Sequence, residues 1–584
     1  MPGGLLQLVA VGAQNELVNG SPSMTHFRAV YRRHTNFAME SIRMSFTASN
    51  LEFSTTGTRT LSCRIDRYAQ LLHDTYLVLT LPDIWSPLKY LGSGTPTLPP
   101  GYGAGTTTQT APNSLGYEFQ WIENIGYNLI DHVDITLNGQ VIQVLRGEWL
   151  KLYSYMTHDR NKRLIVDQMV GNVPELTDPA NAYDRTNQYP HAITPVATPT
   201  TAPMTIVPEP SIRGRQLVIP LHFWFAENPG LALPLAALQN SEVYINVTLR
   251  NLNDLYTVVD VTPTSLTYGQ RVKPTNYPLQ LFLSPPLSTG LPSNPRLTTF
   301  FPDPYLEGNF IYLTEMEWNQ IAKADTTVLV KTVRYVGKEG QFGGNTDLEI
   351  PMYNLVTRIV FAAQRSDRIL ANDWDNYTNW TNPDRAPWSP ISSAAVTSLY
   401  SSGQQQTTST YPRDPMIDGV LLFDAKERFQ TKPLPYFSLL QMYRHTTGDA
   451  PSLQGIYMYS FSLDHDQYQP SGAANGSLFN KVLLRLTLQQ PLPQASTSTG
   501  APTTSVVCVL KSTVFSQNPT VIPAADLALR NPDGSLLYNP SDIVTVVQGN
   551  DNVIFVYTYT VGVYVEAINF FRIVSGLGNL VFAN

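Results

Sequence analysis

Residues 241–249, SEVYINVTL, and residues 480–488, NKVLLRLTL, present one strand pattern twice, their last residues 239 positions apart (488 − 249 = 239). In each, apolar side chains fall on alternate positions, the period of a strand with one buried face. The surroundings repeat as well. Upstream of each lies a Pro-containing run of small residues, NPGLALPLAALQ (228–239) and QPSGAANGSLF (469–479). Before that stands an aromatic-rich strand, LVIPLHFWF (217–225) and GIYMYSFSL (455–463), and after a long insertion comes another, NFIYLTEMEW (309–318) and NVIFVYTYTV (552–561). Four elements in one order point to two related all-β units in tandem. The junction falls near Asp325, where EMEWNQIAKA (315–324) reads as a short helix ahead of the strand TTVLVKTVRYVG (326–337).

Totals agree with this reading. A chain of 584 residues exceeds what one hydrophobic core serves, so two or more domains are expected. Hydrophobic residues make up 42% and charged ones only 14%, well under the usual quarter, with 45 prolines, a composition of strands and long turns. The formal charge of −7 argues against a dedicated nucleic-acid binder, which presents a basic surface to phosphates. Two cysteines, Cys63 and Cys508, exclude a disulfide framework or a cysteine-rich zinc module and suit a reducing compartment. MPGGLLQLVAVGAQNELV has no Lys or Arg before Arg28, so the charged region of a secretory signal is missing. Val553 to Ile573 is long enough for a membrane span, but its apolar residues alternate with Thr558, Thr560, Gly562 and Glu566, and period two means strand.

Other signals are local. In HVDITLNGQVIQVL (132–145), Asn138-Gly139 between two apolar runs predicts a hairpin. GEWLKLYSYMTHDRNKRLIVDQMVG (147–171) predicts one helix with Trp149, Leu152, Tyr153 and Met156 on a common face. Long Pro/Gly/Thr/Ser/Asn segments at 91–116, 172–213, 366–416 and 491–504 exceed ordinary connections of about 4–6 residues and read as inserted loops. Many short strands with such turns close into sandwiches or barrels, a double-sheet jelly roll among them.

Chemistry is hard to find. There is no G-x-S-x-G elbow and no phosphate loop, and the Gly-rich GKEGQFGGN (337–345) lacks the Lys-Ser/Thr pair and reads as a turn. The histidines never form H-x-x-x-H, and DHD (464–466), taken as a strand, sends neighbours to opposite faces, which suits no metal site. No catalytic residue, cofactor site or metal site is expected, and the chain is not read as an enzyme. NDWDNYTNWTNPDRAPW (372–388) offers three tryptophans that could stack on sugars, though rings packed onto the domain or a neighbouring subunit are the preferred reading. It also holds two sequons, at Asn376 and Asn379, as candidate glycosylation sites. In SMTHFRAVYRRHTNFAMESIRM (23–44), Arg28, Arg32, Arg33 and His34 form the one basic knot, read as a salt-bridge or subunit contact.

Motifs at both ends and between them carry a further signal. GGLLQLVAVGAQNELVNGSPSMTHFRAVYRRHTNFAMESI resembles the opening of the major capsid proteins of the nucleocytoplasmic large DNA viruses. LLHDTYLVLTLP (71–82), LVIPLHFWFAENPGLALPLAALQNSEVYINV (217–247), YMYSFSLDHDQYQPSGAANGS (457–477) and AINFFRIVSGLGNLVFAN (567–584) resemble later segments of that family in the same order. YQPSG stands where the family has His-Gln-Pro-Ser-Gly. The matched motif positions are Tyr31, Arg32, Arg33, His34, Asn36, Phe37, Asn228, Pro229, Gly230, Pro470, Ser471 and Gly472.

The resemblance implies an all-β double jelly roll, two tandem eight-stranded jelly rolls with long inserted loops and a few short helices. It divides the chain into an N-terminal arm (1–24), a first jelly roll (25–324) and a second (325–584). It implies a homotrimer that tiles the icosahedral shell of a large double-stranded DNA virus as a pseudo-hexagonal capsomer, with outward tower loops. Partners would be neighbouring capsomers, minor capsid proteins and, through base-proximal proteins, an inner viral membrane, without direct nucleic-acid binding; assembly would occur in the host cytoplasm. Arg32, Arg33 and His34 would organise the base of the first jelly roll or its contacts to neighbours. Two alternatives are a minor or vertex capsid paralogue and a carbohydrate-binding β-sandwich protein.

Overall fold

The computed structural model describes residues 3–48, 51–86, 117–192, 209–259, 271–285, 300–380, 413–448, 454–489 and 554–582, with short interruptions at 56, 187, 275–276, 324, 342 and 556, and the strand backbones 505–510, 521–522 and 543–548. Eight strands build a first lobe: β1 (Phe37–Ser45), β2 (Arg59–Arg64), β3 (Leu71–Leu81), β4 (Ile130–Leu137), β5 (Gln140–Arg146), β6 (Arg215–Pro220), β7 (Val243–Leu249) and β8 (Tyr305–Leu313). Eight more build a second: β9 (Thr326–Gln341), β10 (Gly344–Glu349), β11 (Leu355–Arg365), β12 (Met416–Phe423), β13 (Lys426–Glu427), β14 (Ile456–Ser460), β15 (Val482–Leu488) and β16 (Tyr559–Val574).

Each lobe is a jelly roll of two antiparallel sheets. The first lobe's sheets run β1-β8-β3-β6 and β2-β7-β4-β5, the second's β9-β16-β11-β14 and β10-β15-β12-β13. Adding eight to every strand of the first pair gives the second, so the repeat seen in the sequence is a repeat of topology. SEVYINVTL and NKVLLRLTL enter β7 and β15, the same station in both lobes, and the aromatic strands before them enter β6 and β14. Small extra sheets grow from the insertions: Phe119–Trp121 with Tyr256–Val259 and Arg271–Val272, and Ser505–Leu510 with Val521–Ile522, Ile543–Gln548 and Ile554–Phe555. The predicted loops 91–116 and 491–504 lie outside the described residues.

Local chemistry explains the elements. Asn138 and Gly139 both take positive φ, 50° and 81°, the geometry of the two-residue turn joining β4 to β5. The segment 147–171 is two helices rather than the single one expected, α1 (Gly147–Thr157) and α2 (Arg160–Val170). His158 is extended, and the Asp159 carboxylate accepts the Lys162 amide at 3.0 Å, so a cap in mid-pattern starts a new helix. Between the lobes lies α3 (Glu315–Lys323). GKEGQFGGN continues β9 to Gln341 and turns only beyond it, later than its glycines suggest. The membrane-length stretch is strand, entering β16 at Tyr559, and no helix among the described residues is long and apolar enough to cross a membrane.

The two lobes share one sheet. Ile359, Phe361 and Ala363 of β11, Tyr457 of β14 and Val561, Val563 and Val565 of β16 face the second lobe's own core. Their neighbours Val360 and Ala362, Ile456 and Met458, and Tyr564 join the core of the first lobe. Strand alternation thus divides single strands between two cores. Every residue of β11 after Leu355 is buried as a result.

Candidate functional site

The place where most unusual side chains meet is the seam between the lobes. Helix α1 leads into it directly from β5. Gly147 allows the tight entry, because a Cβ there would sit 2.1 Å from the Tyr127 carbonyl oxygen and 2.2 Å from that of Ile130. Trp149 then stacks against Tyr564 of β16 at 5.3 Å between ring centres, and the Arg358 guanidinium of β11 lies 5.7 Å from the Trp149 ring.

Around this stack runs a buried polar network. The Glu148 carboxylate accepts hydrogen bonds from the hydroxyls of Tyr377 (2.6 Å) and Tyr564 (2.5 Å). Lys151 donates to Asp375 Oδ1 at 2.5 Å and to the Tyr377 hydroxyl at 3.0 Å, the two charged side chains only 2% and 9% exposed. Asp375 also accepts from Asn124 (2.6 Å) and Asn128 (2.9 Å). Burial alone would raise the Glu148 carboxyl; Lys151 and the two tyrosine hydroxyls outweigh it and hold the group below its usual range. Burial, then the charges of Glu148 and Asp375, push the Tyr377 phenol well above 10, so it stays a donor.

Further links close the seam. Arg358 and Glu566 form an ion pair at 2.6 Å with side chains 1% and 3% exposed. Lys331 of β9 lies 3.4 Å from Glu227 and donates to the His465 carbonyl at 2.6 Å, while its own carbonyl accepts from Gln143 of β5. Asn372 donates to the carbonyls of Asn253 (2.7 Å) and Tyr256 (2.8 Å), and Trp374 Nε1 to that of Asp254 (2.9 Å). At the chain's end, Asn240 donates to the Ser575 carbonyl and Ser241 to that of Gly576. Donors and acceptors paired on this scale fix one relative placement of two lobes. Among the described residues no group of three His, Cys, Asp or Glu could hold a metal ion.

The motif residues fall elsewhere. Tyr31, Arg32, Arg33, His34 and Asn36 are exposed, and Phe37, at the start of β1, is half exposed. His34 Nδ1 meets the Thr35 carbonyl at 2.8 Å and its ring lies 6.0 Å from Phe37. Asn228, Pro229 and Gly230 lie between β6 and β7, where Asn228 accepts the Gly230 amide at 2.8 Å. Pro470, Ser471 and Gly472 hold the same station between β14 and β15, the Ser471 hydroxyl donating to the Asp464 carbonyl at 2.6 Å. Both triplets shape turns.

Two expectations need correction, and a third reading is settled in favour of the one preferred. Asn376 and Asn379 are 5% and 0% exposed; Asn376 donates to the Trp380 carbonyl and Asn379 accepts from Tyr559, so neither amide is presented to a glycosylating enzyme in the folded chain. Trp374 is packed onto its own chain, the preferred reading, with Arg250 and Arg368 stacked on it at 4.3 and 5.2 Å. Asp464, His465 and Asp466 lie in a bend, not a strand, with His465 buried against the Ser462 hydroxyl at 2.7 Å. Sequence reasoning missed the seam residues Glu148, Lys151, Arg358, Asp375, Tyr377, Tyr564 and Glu566. Their signal was a lone charge in an apolar run, Lys151 in WLKLY and Arg358 in LVTRIVFAA.

Comparisons with known proteins agree with this geometry. A family described as the major capsid protein N-terminus matches residues 25–284, and one described as the large eukaryotic DNA virus major capsid protein matches residues 317–522. The chain is 26% identical over 555 residues to the major capsid protein of Phaeocystis pouchetii virus, covering 85% of this chain and 94% of that one. It is 27% identical over 575 residues to that of Chrysochromulina ericina virus, covering 84% and 94%. A chain of the PBCV-1 virus capsid superposes with a TM-score of 0.57 at 18% identity, over 96% of this chain and all of that one, which shows a common fold.

Proposed function

Because the chain belongs to the major capsid proteins of large eukaryotic DNA viruses, structural components of the virion shell and not enzymes, we propose that three copies assemble into a capsomer of pseudo-hexagonal outline. Three chains with two like lobes each offer six similar units about an axis, and a hexagon tiles an icosahedral facet edge to edge. The observation that carries this reading is the shared sheet β9-β16-β11-β14, which joins two jelly rolls of one topology into a single block.

On this reading residues 25–324 and 325–584 are the two lobes, and residues 1–24 form an arm. The exposed knot Arg28, Arg32, Arg33 and His34 reaches neighbouring molecules rather than bracing its own lobe, which fits the exposure of all four side chains. The long insertions, including the segments 172–213 and 366–416 where they lie beyond the shared seam, rise as the tower. Minor capsid proteins sit at the base, an inner membrane is met through them, and assembly takes place in the host cytoplasm without direct contact to nucleic acid.

Light scattering on the purified protein, followed by negative-stain imaging, tests the reading. A particle of three 65.0 kDa chains with a hexagonal outline is expected. A monomer at all concentrations and salt conditions overturns it.

A further inference from the structure

Lys151 and Asp375 face each other as more than two charges. The Lys151 nitrogen stands 2.5 Å from Asp375 Oδ1, and solvent scarcely reaches either side chain. A nitrogen that close to a carboxyl oxygen lies about 3–3.5 Å from the carboxyl carbon, the separation of a near-attack geometry. The carboxyl is itself cradled. Asn124 donates to its Oδ2 at 2.6 Å and Asn128 to its Oδ1 at 2.9 Å, both residues buried. Asn124 takes the left-handed φ of 45° at the start of the helical turn Ile125–Asn128, whose far end carries Asn128, so one turn of backbone sets both donors. Fixed donors on a carboxyl group stabilise the charge of a tetrahedral adduct formed there.

A base completes the arrangement. Lys151 also donates to the Tyr377 hydroxyl at 3.0 Å, and that hydroxyl donates to Glu148 Oε1 at 2.6 Å, a path of two hydrogen bonds from the nitrogen to a carboxylate. Burial works against the Glu148 charge, but Lys151 and the hydroxyls of Tyr377 and Tyr564 outweigh it, so a proton acceptor stands ready. Two other pairs show what is particular here. Lys273 and Asp254 also meet closely, but their side chains are 33% and 21% exposed, and water competes for both groups. Arg358 and Glu566 are buried as deeply, but a guanidinium keeps its proton and is no nucleophile.

We propose that Lys151 and Asp375 condense to an isopeptide bond once the chain has folded, joining the two lobes covalently. One ammonium proton crosses to Asp375 Oδ1, which leaves an amine and a carboxylic acid and removes two charges that burial makes costly. The amine lone pair then bonds to the Asp375 carboxyl carbon, and the electron pair of the C=O moves onto Oδ2, where Asn124 donates to it. The nitrogen gives up one proton through Tyr377 to Glu148, and Glu148 returns it through Tyr377 to the Oδ1 hydroxyl beside that nitrogen. The C–Oδ1 bond breaks, Oδ1 departs with two protons as water, and the C=O re-forms. Ammonium and carboxylate have become one amide and one water, with Glu148 and Tyr377 restored and no oxidant or co-reactant consumed. The bond lies within one chain, so it stands however chains associate. It ties positions 224 residues apart and constrains the unfolded chain as a disulfide closing a long loop does.

Intact-mass spectrometry of the full chain, unfolded and reduced, is expected to read one water less than the sequence requires. Trypsin should release residues 147–160 joined to residues 369–385 through Lys151 and Asp375. Lys151→Met and Asp375→Ala should each restore the full mass and abolish the joined peptide. Glu148→Gln keeps both reacting groups and should slow condensation by about a hundredfold or more, read as full-mass chain in samples taken soon after synthesis, with near-ultraviolet circular dichroism as the check on packing. If a variant fails to pack, the wild-type mass and the joined peptide decide the matter by themselves. A wild-type chain that keeps its full mass after prolonged incubation overturns the proposal. So does a water lost equally from Lys151→Met, or a joined peptide that maps to other residues.

Discussion

Sheets β1-β8-β3-β6 and β9-β16-β11-β14 share an order of strands and almost nothing of their surroundings. The second is covered on both faces, so β11 is buried from Val356 to Arg365. The first is covered on one, and six of the first seven residues of β1 are exposed. One topology therefore serves as an inner wall in one lobe and an outer wall in the other. Position in the assembly, not strand order, decides what a side chain is worth.

That contrast can be put to the test pair by pair. The largest effect is expected at Phe361, 1% exposed in the second lobe's core, where Phe361→Ala should cost about 3–5 kcal/mol. Met39→Ala, at a residue 49% exposed on the outer sheet, should stay within about 0.5 kcal/mol. Urea unfolding of both variants gives the comparison, and similar losses would mean that Met39 is covered in the protein as it exists in solution. Next come the ion pairs. Arg358→Met strands the Glu566 carboxylate in the seam and should cost about 3–5 kcal/mol. Asp303→Ala, removing the partner of Arg43 where both side chains are about half exposed, should cost less than about 1 kcal/mol.

A pH-dependent effect belongs to His158, His222 and His465. Burial, then neighbouring charge, lowers His158 to about 4, His222 to about 3 and His465 to about 2. All three are neutral in the folded chain, while the unfolded chain takes up protons below about 6.5. Stability is therefore full above pH 6.5 and falls as the pH descends from there toward the folded values, by at most about 1.4 kcal/mol per pH unit for each histidine. Denaturant midpoints at pH 7.5, 6.0 and 5.0 should decline in that order. His222→Phe, which keeps a ring beside Tyr153, should flatten the decline; an unchanged slope would remove His222 from the account.

What the sequence disclosed follows the same divide. SEVYINVTL and NKVLLRLTL were legible because each strand has one buried face, so its pattern is its environment. LVTRIVFAAQR was not, because two cores claim its alternate residues and the periodicity vanishes. The roles of Lys151 and Arg358 left no local trace, since their partners, Asp375 and Glu566, lie 224 and 208 residues away. The break inside 147–171 falls in the polar run THDRNKR (157–163), which a solvent-facing helix turn would also show, Asp159 being a cap only if His158 leaves the helix. The partners of the tryptophan loop were hidden for a related reason: Asn372 and Trp374 are spent on backbone carbonyls of the other lobe, a contact no local pattern encodes.

The wall common to two cores also has a mechanical meaning. A hinge needs a place where few contacts cross, and here the crossing point is bridged by buried ion pairs and hydrogen bonds. Bending the block would shear Trp149 from Tyr564 and pull Glu148 from both tyrosines at once. A shell laid from such bricks stays flat across each brick, and its curvature falls in the mortar, at the joints between chains.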